Sequence, residues 1–232
     1  MAQANEKNIT LSFFIDPDTN IHMKWSELIY SEALTRLNIK FSYIVLPAIR
    51  ASLMADLGKI DGEIVRGETY GDEHPNLIRI EEPITVVNLS AFAHDSTISL
   101  SSWEAVKNSH YKIEYYRGQH LAGQRLSQYV SADRLTNSSS PTQSLRKLLR
   151  GRIDVYIGTE QIATGLLATP EFIDSDIKML TRLESISAYG YLNKRHSDLA
   201  ITLADVFKQM KSEGKFDAYY HQAQQYIEAK SK

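Results

Sequence analysis

Gly58-Lys59-Ile60-Asp61-Gly62-Glu63-Ile64, which follows the apolar-rich stretch 53–57, is echoed about ninety residues later by Gly151-Arg152-Ile153-Asp154-Val155-Tyr156-Ile157, which follows 145–149 and Arg150. Each copy reads as a helix closed by glycine, then a basic residue, then an isoleucine-aspartate pair that opens a strand. Glycine suits the left-handed position past a helix end, and aspartate bonds readily to nearby backbone at a connection. One such junction is an ordinary αβ connection. Two of them predict two similar α/β lobes.

The same alternation continues on both sides of each copy. Before the first, the pattern predicts a strand over 10–15 ended by Asp16-Pro17-Asp18, a helix over 25–37, a strand over 41–45 and a helix opened by Pro47 that stops at Gly58. Between the copies come a strand over 86–93, a polar break at 94–97, a helix over 103–107, a strand over 112–116, and a loop over 136–141 by composition. After the second, one strand is expected over 187–193, then helices over 197–213 and 215–228.

Composition sets the class. The 232 residues are 43% hydrophobic and 23% charged, the balance of a packed globular protein rather than a disordered or fibrous one. A net charge of -2, from 26 basic against 28 acidic residues, argues against a nucleic-acid or anionic-membrane surface and for a small partner. With no cysteine there is no thiol nucleophile, disulfide or thiolate metal site. Seven histidines fall in no His-x-x-x-His or Glu-x-x-His pattern, and neither a phosphate-binding glycine loop nor a Gly-x-Ser-x-Gly turn occurs, so no metal and no cofactor is expected. No apolar run approaches the ~18 residues of a membrane span.

The order of pieces resembles the type 2 periplasmic solute-binding proteins, in particular family 3, the polar amino-acid binders of ABC transporters. The residues that carry the likeness are the two Gly-basic-Ile-Asp junctions, Tyr116-Arg117-Gly118 after a short strand, Tyr189-Gly190-Tyr191 with Lys194, and the ending Met210-Lys211-Ser212-Glu213-Gly214-Lys215-Phe216. The resemblance implies an α/β fold of two lobes, each a mostly parallel sheet flanked by helices. It places the first, discontinuous lobe over 8–90 and 190–232 and the second over 91–189, with crossing strands near 87–92 and 187–191. It further implies a non-catalytic protein that captures a small polar solute, amino-acid-like or an organic acid, in a cleft between the lobes and hands it to a membrane permease. A sensing domain of a signalling system is the alternative, and a lyase or dehydratase on the same fold the third. The protein is expected to be periplasmic and a monomer, with no nucleic-acid partner. Met1-Ala2-Gln3-Ala4 lacks the basic segment and apolar core of a signal peptide but keeps the small-x-small form of a cleavage site, so the export leader is expected to be absent from this chain.

Open α/β sheets bind ligands beyond the carboxyl ends of their strands, which selects the candidate residues. Asp16 after the first strand either accepts from a solute amine or simply forms the turn before Pro17. Arg66 follows Ile64-Val65, where a guanidinium grips a carboxylate with two parallel bonds, and Tyr70 in the next loop either stacks on a ligand or is core with a wet hydroxyl. In the second lobe Arg117, Gln119 and His120 surround Gly118 where the resemblance puts an anion contact, and His120 is otherwise a cap or surface residue. Thr159 and Glu160 end the second junction's strand, Glu160 either binding an amine or favouring a helix first turn. Arg50 belongs to the basic set or to a helix surface. Two departures from the family bear on the ligand. Tyr70-Gly71-Asp72-Glu73 stands where the amino-acid binders carry Thr-x-x-Arg, which leaves Arg66 to supply the charge, and Thr159 stands where they tend to carry an aspartate for the α-amino group. An ordinary α-amino acid is therefore not the expected ligand.

Overall fold

The computed structural model describes residues 8–230, so the reading of residues 1–4 lies outside the described residues. The chain divides into two compact units, one that runs to Thr85 and resumes at Ser187, the other Val86–Ile186.

In the first unit β1 (Asn8–Phe13), α1 (Ile21–Arg36), β2 (Lys40–Val45), α2 (Ala48–Asp56) and β3 (Gly62–Gly67) wind in sequence; α3 (Tyr70–Glu73) and β4 (Leu77–Arg79) follow. β1 lies between β2 and β3, parallel to both, with Leu11 opposite Tyr43 on one side and Gly62 on the other. The later part of β9 (Lys178–Asn193) returns antiparallel along β3 and β4, and α8 (Ser197–Ser212) and α9 (Lys215–Lys230) complete the unit. Alternation puts Ile9, Leu11 and Phe13 on one face of β1, where they bury against Ile29, Tyr30 and Leu34 of α1 and Leu203 and Phe207 of α8. On the other face Ala51 and Ala55 of α2 join Tyr70, Leu77 and Tyr191. The Trp25 indole N–H donates to the Phe216 carbonyl at 2.8 Å, satisfying a buried donor and fastening α9 to α1.

The second unit holds β5 (Thr85–Ala93, whose first residue belongs to the other unit), α4 (Trp103–Asn108), β6 (Ile113–Tyr116), α5 (His120–Tyr129), β7 (Leu135–Ser138), α6 (Pro141–Leu149), β8 (Val155–Thr159), α7 (Glu160–Leu167) and the start of β9. β6 lies between β7 and β8, parallel to both, while β5 runs antiparallel to β8 with Phe92 opposite Tyr156. Its two apolar clusters centre on Leu126 and Val155, and on Leu145 and Phe172.

The repeated junction is one local structure made twice. After α2 the Gly58 amide donates to Ala55 and the Lys59 amide to Met54; after α6 Gly151 donates to Leu148 and Arg152 to Lys147. Both sets have the 5→2 and 6→1 pattern of a Schellman cap, and Gly58 (φ 67°) and Gly151 (φ 61°) adopt the left-handed conformation it requires. Each aspartate then clamps the neighbouring parallel strand. Asp61 donates from its amide to the Thr10 carbonyl at 2.9 Å and accepts the Thr10 amide on Oδ2 at 2.8 Å. Asp154 does the same with Lys112, at 2.9 and 2.7 Å. Residue n of the first copy corresponds to n + 93 of the second.

Two expectations are corrected. The loop expected over 136–141 contains the last three residues of β7 and the first residue of α6. β7 is an outer strand paired only to β6, so Thr136 and Asn137 are exposed and its composition mimics a loop, while Ser138 is buried and bonds Ser144 Oγ at 2.7 Å. The strand expected over 187–193 begins nine residues earlier, at Lys178. Arg182 and Glu184 interrupt the apolar pattern there, and both are ion-paired in the fold. Among the described residues no helix is long and apolar enough to cross a membrane.

Candidate functional site

In the first unit the candidates lie at the carboxyl ends of β1 and β3. Asp16 is exposed and caps the 3-10 turn Pro17–Thr19, its Oδ1 accepting the Asp18 amide at 2.9 Å, so its turn-forming role is realised. Arg66 sits on β3 with its guanidinium 5.1 Å from the Tyr70 ring and 5.9 Å from the Phe14 ring. Its charge is matched within the unit: its Nε donates to Glu63 Oε2, and its Nη2 reaches the Ala48 carbonyl at 3.3 Å. Glu63 is 2% exposed and takes a second bond from the Tyr70 hydroxyl at 3.0 Å. Burial pushes the Tyr70 hydroxyl well above its ordinary pKa, so it stays a donor. Tyr70 thus buttresses the Glu63–Arg66 pair from within the core. Arg50 is exposed on α2.

In the second unit the candidates gather at the ends of β6 and β8. Gln119, just before α5, donates from Nε2 to Thr159 Oγ1 at 2.7 Å and ties the two strand ends together. Arg117 is exposed and borders a pocket of ≈ 310 Å³ shared with Tyr115, Gly123, Gln124 and Ser127; its Nε reaches the Ser138 carbonyl at 3.4 Å. His120 opens α5, and its side chain lies outside the described residues. Glu160, first residue of α7, accepts from the fully buried Ser90 hydroxyl at 2.9 Å and from Arg182 through a two-pronged pair, Nε at 2.9 Å and Nη2 at 2.8 Å. The Arg182 guanidinium holds the Glu160 carboxyl below the usual carboxylate range; burial opposes this and the Ser90 bond adds to it. The Asn88 amide stands within 3.2 Å of the same guanidinium.

Each unit therefore presents a guanidinium–carboxylate pair near its strand ends: Arg66–Glu63, largely buried, and Arg182–Glu160, whose arginine is 51% exposed. Sequence reading found one member of each and missed the other. Glu63 carried a signal, a charged residue between Gly62 and the apolar Ile64-Val65, which calls for a buried partner. Arg182 carried none, since nothing in 178–186 marked a strand. Among the described residues no group of three or more histidine, aspartate or glutamate side chains is placed to hold a metal ion.

No family model matches the chain. A Shewanella oneidensis protein described as uncharacterized is 46% identical over 222 residues, 96% of this chain and 84% of that one. Among solved structures, a histidine kinase sensor domain with similarity to periplasmic binding proteins superimposes with a TM-score of 0.75 at 11% identity, covering 94% of this chain and 95% of that one. An ancestral arginine-binding protein bound to glutamine gives 0.74 at 16%, covering 95% and 98%. The amino-acid ABC transporter substrate-binding protein AbpA of Streptococcus pneumoniae, bound to L-arginine, gives 0.73 at 12%, covering 95% of each chain. At these identities the likeness is one of fold: mixed α/β, of the two-lobed periplasmic-binding type.

Proposed function

We propose, from the premise that the chain belongs to one family with the Shewanella oneidensis protein and has the type 2 periplasmic-binding-protein fold of the family 3 solute-binding proteins, that it is a non-catalytic extracytoplasmic protein that binds a small polar solute, amino-acid-like or an organic acid, for a membrane transporter. The observation that carries this reading is the guanidinium–carboxylate pair at the strand ends of each unit. Such a pair is satisfied without ligand, yet exchanges partners readily: a solute carboxylate takes the guanidinium and a solute ammonium or hydroxyl takes the carboxylate, so neither charge is stranded at any stage. The Arg182–Glu160 pair is the one a solute reaches at the smaller cost, because its arginine is half exposed while the Arg66–Glu63 pair is largely buried. Arg117 beside its pocket adds a second anion contact, and Gln119 with Thr159 adds neutral hydrogen bonding.

A sensing role is the second reading, favoured by the likeness to the kinase sensor domain. It uses the same solute chemistry with a different output.

The test is a thermal-shift screen of protein unfolded and refolded to strip bound solute, against amino acids, organic acids, peptides, polyamines and sugars. A solute at ~100 times its dissociation constant adds ~2.7 kcal/mol of stability. The expected result is a hit among carboxylate-bearing solutes that is weakened at least ~tenfold in Arg182→Ala and in Glu160→Gln. Equal affinity in both variants would remove the pair from the site, and turnover of the hit by chromatography would replace binding with catalysis.

A further inference from the structure

Six of the eleven large apolar side chains exposed among the described residues lie between residues 43 and 57, in the first unit. They are Tyr43 (38%), Ile44 (38%) and Val45 (43%) on β2 and Ile49 (55%), Leu53 (59%) and Leu57 (60%) on α2. Phe41 and Tyr43 point to the α1 side of the sheet, where they meet the rings of Tyr30 and Phe13. Alternation sends Ser42 and Ile44 to the opposite, α2 side, and the Ser42 hydroxyl there meets Thr10 Oγ1 at 2.8 Å. On α2 the residues Ile49, Leu53 and Leu57 recur every fourth position, drifting only ~40° per step, and so make one ridge. Met54, on the other flank of that helix, packs with Tyr70, Leu77 and Tyr191 toward β9. The ridge is therefore on the solvent side of α2, on the flank away from Met54.

The second unit serves as an internal control. At the corresponding positions, 93 later, it has Thr136, Asn137 and Ser138 on β7 and Thr142, Arg146 and Arg150 on α6. The same strand, at the same outer position beside its neighbour, and the same helix row are polar at every one of six places. A lobe of this architecture does not need an apolar surface there to fold, so the first unit's patch has another use.

We propose that this β2–α2 face is a self-association surface on which a second copy of the chain docks, β2 against β2 across a two-fold axis. β2 ends the strand order, so one of its edges carries peptide groups with no strand beside them among the described residues. A two-fold axis between two such edges pairs them antiparallel, which makes the contact self-complementary and closed, and an axis midway along β2 places Lys40 of one copy opposite Val45 of the other rather than against its own like charge. Tyr43 and Val45 on the α1 side of the edge strand and Ile44 with the α2 ridge on the other side offer together roughly 500 Å² per copy, below the ~800 Å² per partner of a standard interface, so the dimer is expected to be a weak one that forms as concentration rises. The charges around the patch, Lys40, Arg50 and Lys59, are exposed and form its polar rim. The monomer expected from the sequence gives way to a concentration-dependent dimer, whichever solute the protein binds.

Sedimentation equilibrium of the whole chain between about 1 and about 300 µM tests this. The expected result is a mass that rises from monomer to dimer and no further. Leu53→Arg/Leu57→Arg, which installs the basic character of the second unit on solvent-facing positions, is expected to raise the dissociation constant at least ~tenfold with an unchanged melting temperature. Amide exchange of residues 41–45 is expected to slow as concentration rises in the wild type and not in the variant. A monomer throughout the range, an unweakened dimer in the double variant, or protection that develops elsewhere in the chain would each overturn the proposal.

Discussion

The two junctions share a backbone and part company in what their strands carry. Both close a helix with a Schellman cap and clamp the next strand with an aspartate, but two positions further on unit 1 has Glu63 where unit 2 has Tyr156, and one position on it has Gly62 where unit 2 has Val155. Tyr156 is an apolar-bodied core residue, 1% exposed beside Phe92. Glu63 is as deeply buried but charged, and is tolerable only because Arg66 and Tyr70 reach it. Unit 2 has its own buried carboxylate on a different strand: Glu114 on β6, bonded to Thr136 and Ser144 at 2.9 Å and to Lys147 at 2.5 Å. The connection geometry is thus generic, while the placing of buried charge is particular to each unit.

The two buried carboxylates differ in how their cations can escape. Arg66 is 10% exposed, hemmed by Phe14 and Tyr70, whereas Lys147 is 34% exposed on a flexible stem. Glu63→Ala removes the carboxylate paired with the largely buried Arg66 guanidinium and is expected to cost about 3–5 kcal/mol in urea unfolding. Glu114→Ala lets Lys147 swing into water and leaves chiefly two hydroxyls short of an acceptor, for about 2 kcal/mol. Equal losses would mean that Arg66 also finds water, and the contrast between the units would fail.

Gly62 sharpens the comparison at the next magnitude. A Cβ there would sit 2.2 Å from the Tyr191 carbonyl oxygen, because β9 passes antiparallel over β3 at this point. Val155 carries a full side chain at the matching position, buried in the core of the second unit. Backbone cannot yield as a side-chain tip can, so Gly62→Ala is expected to cost about 3 kcal/mol, the upper end for overpacking, despite the small atom added. A loss below ~1 kcal/mol would show that β9 lies less closely on β3 than the register requires.

What could be read from the sequence follows the same division. The lobes were legible because Gly58, Gly151, Asp61 and Asp154 act on their own backbone neighbourhood, and local chemistry leaves a local pattern. Arg66 and Glu160 were found by their place after a strand, but their partners were not. Arg182 is twenty-two positions from Glu160 on a strand with no apolar rhythm, and the pairing is visible only once β9 is in place. β7 was missed for a related reason, because an outer strand with solvent on its free side has no need of β-branched residues.

The smallest expected effect separates the two aspartates themselves. Asp61 and Asp154 make the same amide clamp, but Asp61 also takes Arg195 and accepts His196 Nε2 at 2.7 Å from the 3-10 turn just before α8. Burial alone would raise the Asp61 carboxyl; the Thr10 amide, Arg195 and His196 outweigh it and hold it below its ordinary 3.8. A carboxyl whose folded pKa lies below its unfolded one contributes stability that is present above the unfolded value and lost as pH falls through the folded one. Asp61→Asn is therefore expected to cost about 1–2 kcal/mol at neutral pH, discounted for the solvent that screens the half-exposed Arg195, with Asp154→Asn nearer ~1 kcal/mol. Below pH 3.8 the wild-type Asp61 carboxyl protonates in its turn, and the difference between wild type and Asp61→Asn shrinks toward zero. A penalty that stays constant from neutral pH into that acid range would mean that the charge on Asp61 does no more than the amide clamp it shares with Asp154.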